Sequence, residues 1–248
     1  MQLIAHRGGS FGKENSLETI VSAARSGADA VECDIRKTKD GVYVIFHDDT
    51  LTRLAGNTMR VSEVTAEQMQ KYLEVKGQKL LTFEELKNGY NEKTPILLHI
   101  KLTEFDEEFA EYVSNSGLPI IAGVMSIPML SCFSKFLPKE RILAFLPNEK
   151  DALEYYEGGA GIIRLWEQWL NRVTLADIKQ ICPNVKVFIM ACDLKREPYN
   201  EMSLSTMDGS IESLEKCLVL GADGVLLNNI DMALDWRKTN DFVRDNII

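Results

Sequence analysis

The sequence predicts an α/β fold, a closed (β/α)₈ barrel, and two observations carry that expectation. Eight short runs rich in Val, Ile and Leu lie at residues 3–6, 30–35, 96–101, 119–124, 141–146, 161–165, 185–190 and 224–228, with helix-length segments between them. Their apolar interiors suit strands buried on both faces, as in a parallel sheet covered by helices. The chain has 248 residues, close to the roughly 250 that eight βα units occupy in a TIM barrel. A doubly wound open sheet is the competing arrangement. It usually has fewer strands, and no G-x-G-x-x-G follows the first run.

Taken in order, the first run leads to a helix at 16–26 that ends at Gly27, where a left-handed cap is expected. The second run continues to Asp40-Gly41, read as a two-residue hairpin turn between Lys39 and Val42 that returns an antiparallel strand at 42–47. That register sets Asp34 opposite His47 and Glu32 opposite Asp49. Residues 51–91 form the longest interval between barrel strands and read as a small insertion after the second strand, with a helix at 65–72. Further helices are expected at 106–114, 128–136, 175–181 and 211–220, the last ending at Gly221. Gly27-Ala28-Asp29-Ala30-Val31 recurs as Gly221-Ala222-Asp223-Gly224-Val225, as if one βα unit were reused. No Pro- or Ser-rich linker divides the chain, so residues 1–248 read as a single domain.

Composition narrows the function. With 28 basic and 37 acidic residues the net charge is −9, and no basic run offsets it. Such a surface repels phosphate backbones, so general nucleic-acid binding is not expected. Cys33, Cys132, Cys182, Cys192 and Cys217 form an odd set without C-x-x-C spacing, which argues against a disulfide framework or zinc ribbon and for a reducing compartment. The first strand pattern begins at Leu3, leaving no place for a signal peptide. The longest uncharged stretch, 112–134, is broken by Pro119 and Pro128 and reads as strand, loop and helix rather than a membrane span. A soluble, cytoplasmic protein without stable membrane association is the expectation.

The placement of polar residues is the informative feature. The three histidines, His6, His47 and His99, each fall at or near the end of an apolar run, and barrel active sites gather at the C-terminal ends of strands. Glu32 and Asp34 are one residue apart on the second strand, so they project to one face while Cys33 points to the other. Two carboxylates on an inner face repel each other and are penalised by desolvation, and a hard divalent cation would remove both penalties. The same spacing aligns His99 with Lys101. Two exposed pairs on an edge strand are the alternative, opposed by the apolar neighbours Val31, Ile35, Leu97, Leu98 and Ile100.

The motifs His6-Arg7-Gly8-Gly9, Glu14-Asn15-Ser16, Glu32-Cys33-Asp34-Ile35-Arg36-Lys37-Thr38-Lys39-Asp40-Gly41-Val42 and His47-Asp48 resemble the glycerophosphodiester phosphodiesterase family. The resemblance is dense over residues 3–53, thinner at 96–101 and returns at 221–228. It implies a phosphodiesterase-type barrel that uses one divalent metal to cleave small-molecule glycerophosphodiesters to glycerol 3-phosphate and an alcohol. It makes His6 and His47 the general acid/base pair, Glu32 and Asp34 metal ligands, Arg7 the phosphate grip and Lys101 a stabiliser of phosphoryl charge, with Glu14 and Asn15 on the substrate side.

The chain departs from the family pattern in two places. His99 stands where the family usually has Glu, which tilts a site for Mg²⁺, Ca²⁺, Mn²⁺ or Zn²⁺ toward Mn²⁺ or Zn²⁺. The seventh strand ends Phe188-Ile189-Met190-Ala191-Cys192 rather than in the usual Trp-Thr pair, and Arg164 and Trp166, with Trp169 beyond, are candidates for a replacement pocket wall. A phospholipase-type phosphodiesterase and a non-catalytic phosphodiester-binding barrel are the competing functions.

Overall fold

The computed structural model describes residues 1–191 and 208–240; Cys192 lies outside them. The chain runs β1 (Gln2–Ala5), α1 (Leu17–Ser26), β2 (Ala30–Lys37), β3 (Tyr43–Ile45), α2 (Thr52–Ala55), α3 (Ala66–Glu74), β4 (Leu81–Thr82) and α4 (Phe83–Gly89). It continues β5 (Ile96–Ile100), α5 (Glu107–Ser114), β6 (Ile120–Val124), α6 (Ile127–Phe133), β7 (Ile142–Phe145), α7 (Ala152–Glu157), β8 (Ile162–Trp166) and α8 (Leu175–Ile181). It ends with β9 (Lys186–Met190), α9 (Ile211–Val219), β10 (Gly224–Leu227) and α10 (Ile230–Thr239). Polar residues ahead of the helices act as caps: Ser16, Thr65, Asp106, Ser126, Thr174 and Ser210 each accept a hydrogen bond from the first turn of the helix that follows.

Eight strands close the barrel in the order β1-β2-β5-β6-β7-β8-β9-β10 and back to β1, every pair parallel. Alternation along the strands builds two apolar layers. Outward residues such as Val31, Cys33, Ile35, Leu98 and Ile100 pack under the helices. Inward residues Ile4, Ala30, Leu97, Leu143, Ile162, Phe188 and Leu226 fill the interior. On β2 the inward positions above Ala30 belong to Glu32 and Asp34, so the pair tops an apolar plug.

The recurrent Gly-Ala-Asp segment is one structural device used twice. Gly27 and Gly221 both take positive φ, at 101° and 79°. Asp29 then accepts from the backbone N–H of Leu3, and Asp223 from that of Val187, at 2.8 Å each. Each aspartate ties its strand to a neighbouring strand at the N-terminal end of the barrel. Arg237 and Lys179, respectively, neutralise the two carboxylates.

The hairpin after β2 differs from expectation by one residue. Ile35 pairs with Ile45, Arg36 with Val44 and Lys37 with Tyr43. The loop has three residues, Lys39, Asp40 and Gly41, with Gly41 at φ 85° and its N–H donating to the Thr38 carbonyl, the type I turn and left-handed residue of a bulged hairpin. Phe46, not His47, therefore lies beside Asp34, its N–H bonded to the Asp34 carbonyl. The returning strand stops at Ile45, so Glu32 has no partner in Asp49, which instead meets Arg36 and Arg60.

Beyond β3, the segment up to β4 has a small core of its own, with Phe46, Leu51, Val61, Val64, Met69 and Leu73 packed on Val44. Among the described residues no helix is long and apolar enough to cross a membrane.

Candidate active site

The loop after β1 makes the first wall. Arg7, Gly8 and Gly9 take φ values of 54°, 89° and 75°. A Cβ on Gly8 would stand 2.6 Å from the Thr19 methyl, so glycine is needed for both conformation and space. This turn buries His6 and Arg7 at 7% and 3% exposure. Asn15, itself at φ 57°, bonds the Asp34 side chain through Nδ2 (3.0 Å) and receives the Asp34 N–H on Oδ1. Glu14 meets Arg7 Nη1 at 3.4 Å and Arg53. Glu14 and Asn15 thus hold other site residues rather than lining the cavity themselves.

Glu32 and Asp34 are buried, and their mutual repulsion is balanced by neighbours. The Arg7 N–H donates to Glu32 Oε2 at 2.9 Å, and Lys101 Nζ and Arg7 Nε stand 3.2 and 3.7 Å from Asp34 oxygens. Burial pushes the Asp34 carboxyl up, but the charge of Lys101, with His47 and Arg7 behind it, holds it well below the usual carboxylate range. One oxygen of each acid, Glu32 Oε1 and Asp34 Oδ1, accepts no hydrogen bond of good geometry. His99 Nδ1 faces both, at 3.5 and 3.2 Å. Around a divalent ion with bonds of about 2.1 Å, adjacent donors sit about 3 Å apart, so two orphaned carboxylate oxygens and an imidazole nitrogen suit a cation. Glu32, Asp34 and His99 are a cluster of that kind.

A stack of rings carries His99. On β6 the neighbour of His99 is Gly123, which leaves room for Phe145 of β7 to lie flat on the imidazole, centroids 3.8 Å apart at 11°. A Cβ on Gly123 would fall 2.5 Å from the Phe145 ring. Gly123→Ala should cost about 1–3 kcal/mol and loosen His99, readable in chemical denaturation. An unchanged midpoint would mean that Phe145 moves aside freely.

His6 and His47 face the same cavity, of about 240 Å³, together with Arg7, Glu32, His99 and Lys101. Asn228, at the end of β10, donates through Nδ2 to Asp208 and so turns its Oδ1 to His6 Nδ1 at 2.7 Å. That places the ring proton on Nδ1 and leaves Nε2 able to accept. Burial pulls the His6 imidazole down to about 4. His47 is likewise held at Nδ1, by Asp48 at 2.6 Å, with Arg53 bonding the far oxygen of Asp48. Burial lowers its pKa as well. His47 reaches the site because the chain leaves the strand after Ile45, its carbonyl gripped by Arg36 Nε at 2.9 Å.

A sequence model of the Glycerophosphoryl diester phosphodiesterase family matches residues 6–138. YhdW of Bacillus subtilis (strain 168), which carries the family's name, is 31% identical over 199 residues, 73% of this chain and 82% of that protein. The chain belongs to the glycerophosphoryl diester phosphodiesterase family. Human Glycerophosphodiester phosphodiesterase 1 is 48% identical over 69 residues, 27% of this chain, and the match spans about a fifth (21%) of the human protein's length. The structure of an Oleispira antarctica phosphodiesterase in complex with the product sn-glycerol-3-phosphate superposes with a TM-score of 0.66 at 20% identity, covering 95% of this chain and 97% of that one.

Within this barrel, the opposite wall belongs to Phe145, Arg164, Trp166 and Met190. Trp169 packs on the outer core instead. Arg53, Phe145, Asp208 and Asn228 hold site residues without having been singled out from sequence, and Asp48 entered there only as part of the His47-Asp48 motif. Asn228 was within reach, because it ends the last apolar run.

Proposed function

We propose that the chain hydrolyses glycerophosphodiesters to glycerol 3-phosphate and an alcohol, with His6 and His47 moving the protons. The observation that carries this reading is one cavity lined by two imidazoles, Arg7 and Lys101 beside the Glu32–His99 cluster. A phosphodiester carries one negative charge that repels nucleophiles, and Arg7 and Lys101 bring positive charge to meet it. A divalent ion held by Glu32, Asp34 and His99 would supply further neutralisation of the phosphate. His6, kept neutral by burial, suits the acceptance of a proton from the attacking water at Nε2. His47, backed by the Asp48 carboxylate, suits its donation to the leaving oxygen, since a carboxylate stabilises imidazolium. The four described free cysteines and the net charge of −9 support a soluble substrate met in the cytoplasm. The site draws on strands from β1 to β10, which supports reading 1–248 as one domain.

The test is release of glycerol 3-phosphate from glycerophosphoglycerol with Mg²⁺, Ca²⁺, Mn²⁺ and Zn²⁺ supplied singly. No turnover with any metal overturns the reading in favour of a binding barrel. Turnover confined to lysophospholipid vesicles would assign the chain to the phospholipase-type activity.

The nitrogen of His99 is the departure that tunes metal choice. Its Nδ1 lacks the alignment to hydrogen-bond Asp34 Oδ1, and its Nε2 has no hydrogen-bond partner, which favours a ligand over a mere neighbour. His99→Glu should take the ligand charge from −2 to −3 and shift preference from Mn²⁺ toward Mg²⁺ or Ca²⁺. Calorimetric titration of both metals checks it, and an unchanged affinity ratio would remove His99 from the ligand set.

A further inference from the structure

Arg164 stands at the far end of the cavity. β8 stands four strands from β2 either way round the closed barrel, so Arg164 lies across the mouth from Glu32 and Asp34. Its guanidinium is 5.0 Å from the Phe145 ring centroid and 4.2 Å from that of Trp166, and the residue is only 6% exposed. A continuous line of contacts therefore runs His99, Phe145, Arg164, Trp166 along the wall of one pocket.

Paired aromatic faces in a pocket wall are the usual receptor for a quaternary ammonium. Here those faces already hold a cation that stays charged at any working pH. Arg7 and Lys101 lie at the opposite end, where Glu32 and Asp34 balance them, so among the described residues the charge on the β8 wall is that of Arg164. A second cation brought into such a confined space meets like charge where water screens poorly.

We infer that Arg164 is a specificity determinant that sets the pocket against cationic alcohols, choline and ethanolamine, and toward esters of neutral or anionic ones such as glycerol and inositol. The inference rests on the hydrolase reading above, because it names which glycerophosphodiesters that site takes. The phosphate bound near Arg7 and Lys101 would leave the alcohol directed at β8. A polyol presents hydroxyls to the Arg164 plane, whereas trimethylammonium would have to displace it.

The experiment compares kcat/KM for glycerophosphocholine and glycerophosphoglycerol in wild type, Arg164→Met and Arg164→Lys. It is paired with calorimetric titration of tetramethylammonium chloride against a sodium chloride control. Wild type should prefer glycerophosphoglycerol by at least about tenfold, as expected of like-charge exclusion in a confined site. Arg164→Met should lose most of that preference and gain tetramethylammonium binding, while Arg164→Lys keeps the preference.

Equal loss of both substrates in Arg164→Met, without tetramethylammonium binding, would overturn the inference and make Arg164 a phosphate contact. Should Arg164→Met not fold, Arg164→Gln replaces it, and a wild type equally active on both esters overturns the inference by itself. If no glycerophosphodiester turns over with any metal, the hydrolase reading falls separately. Tetramethylammonium binding to Arg164→Met but not to wild type would then still uphold the pocket inference, and its absence from both would overturn it.

Discussion

His6→Ala and His47→Ala should each lower kcat about 10²–10⁴-fold while leaving the barrel folded. Each ring lines the cavity, and each is fixed at Nδ1 by a different acceptor, Asn228 for His6 and Asp48 for His47. Alanine removes the proton carrier and leaves the Glu32–Asp34–His99 cluster and the phosphate-facing cations in position. The two imidazoles serve one reaction, so the double variant should be little worse than the single ones. Turnover at saturating metal and substrate, with near-ultraviolet dichroism to establish folding, checks this. Near-wild-type kcat in either variant would show that the residue carries no proton.

Much of this architecture was legible because period-two alternation and burial act together. The runs around Glu32 and His99 are apolar outward and turn polar inward only toward their C-terminal ends, which leaves Val31, Cys33 and Ile35 to the helix-covered face. The Gly-Ala-Asp repeat was legible as sequence, and its meaning, an aspartate receiving a neighbouring strand's N–H, needed coordinates. The hairpin was misread by one residue because Asp-Gly serves two loops equally well. It closes a two-residue turn or, as here, forms the end of a three-residue loop whose Thr38 hydroxyl accepts the Val42 N–H. A one-residue slip exchanges faces, so the expected pairing of Asp34 with His47 could not survive it. His47 still reaches Asp34's field because Arg36 and Lys101, 11 and 54 positions away along the chain, hold its carbonyl.

The site's supporting residues were less visible for the same physical reason. Phe145 is an ordinary core phenylalanine by sequence, and only the missing side chain of Gly123 two strands from β8 lets it lie on His99. Asp48 and Arg53 belong to a chain of ion pairs, His47–Asp48–Arg53–Glu14–Arg7, that joins the two ends of the first motif block through space. Spacing along the chain carries no trace of such a connection.

Glu32→Gln and Asp34→Asn should each abolish metal-dependent turnover, and they should part company in stability. Both replacements keep shape and remove the anionic charge that a hard cation requires. By sequence the two carboxylates are a mutually repelling pair, but Asp34 is the counter-charge of buried Lys101 and Arg7. Asp34→Asn strands those cations and should cost about 3–5 kcal/mol, which at about 2–4 °C per kcal/mol lowers Tm by roughly 6–20 °C. Glu32→Gln keeps a carbonyl oxygen for the Arg7 N–H and should lose far less. Melting in chelator, then with saturating Mn²⁺, separates the two effects. Wild type should gain stability from the metal as RT ln(1 + [L]/Kd), and neither variant should. Equal melting of the two variants in chelator would mean that Lys101 and Arg7 do not depend on Asp34. Full metal stabilisation of either variant would remove that carboxylate from the ligand set.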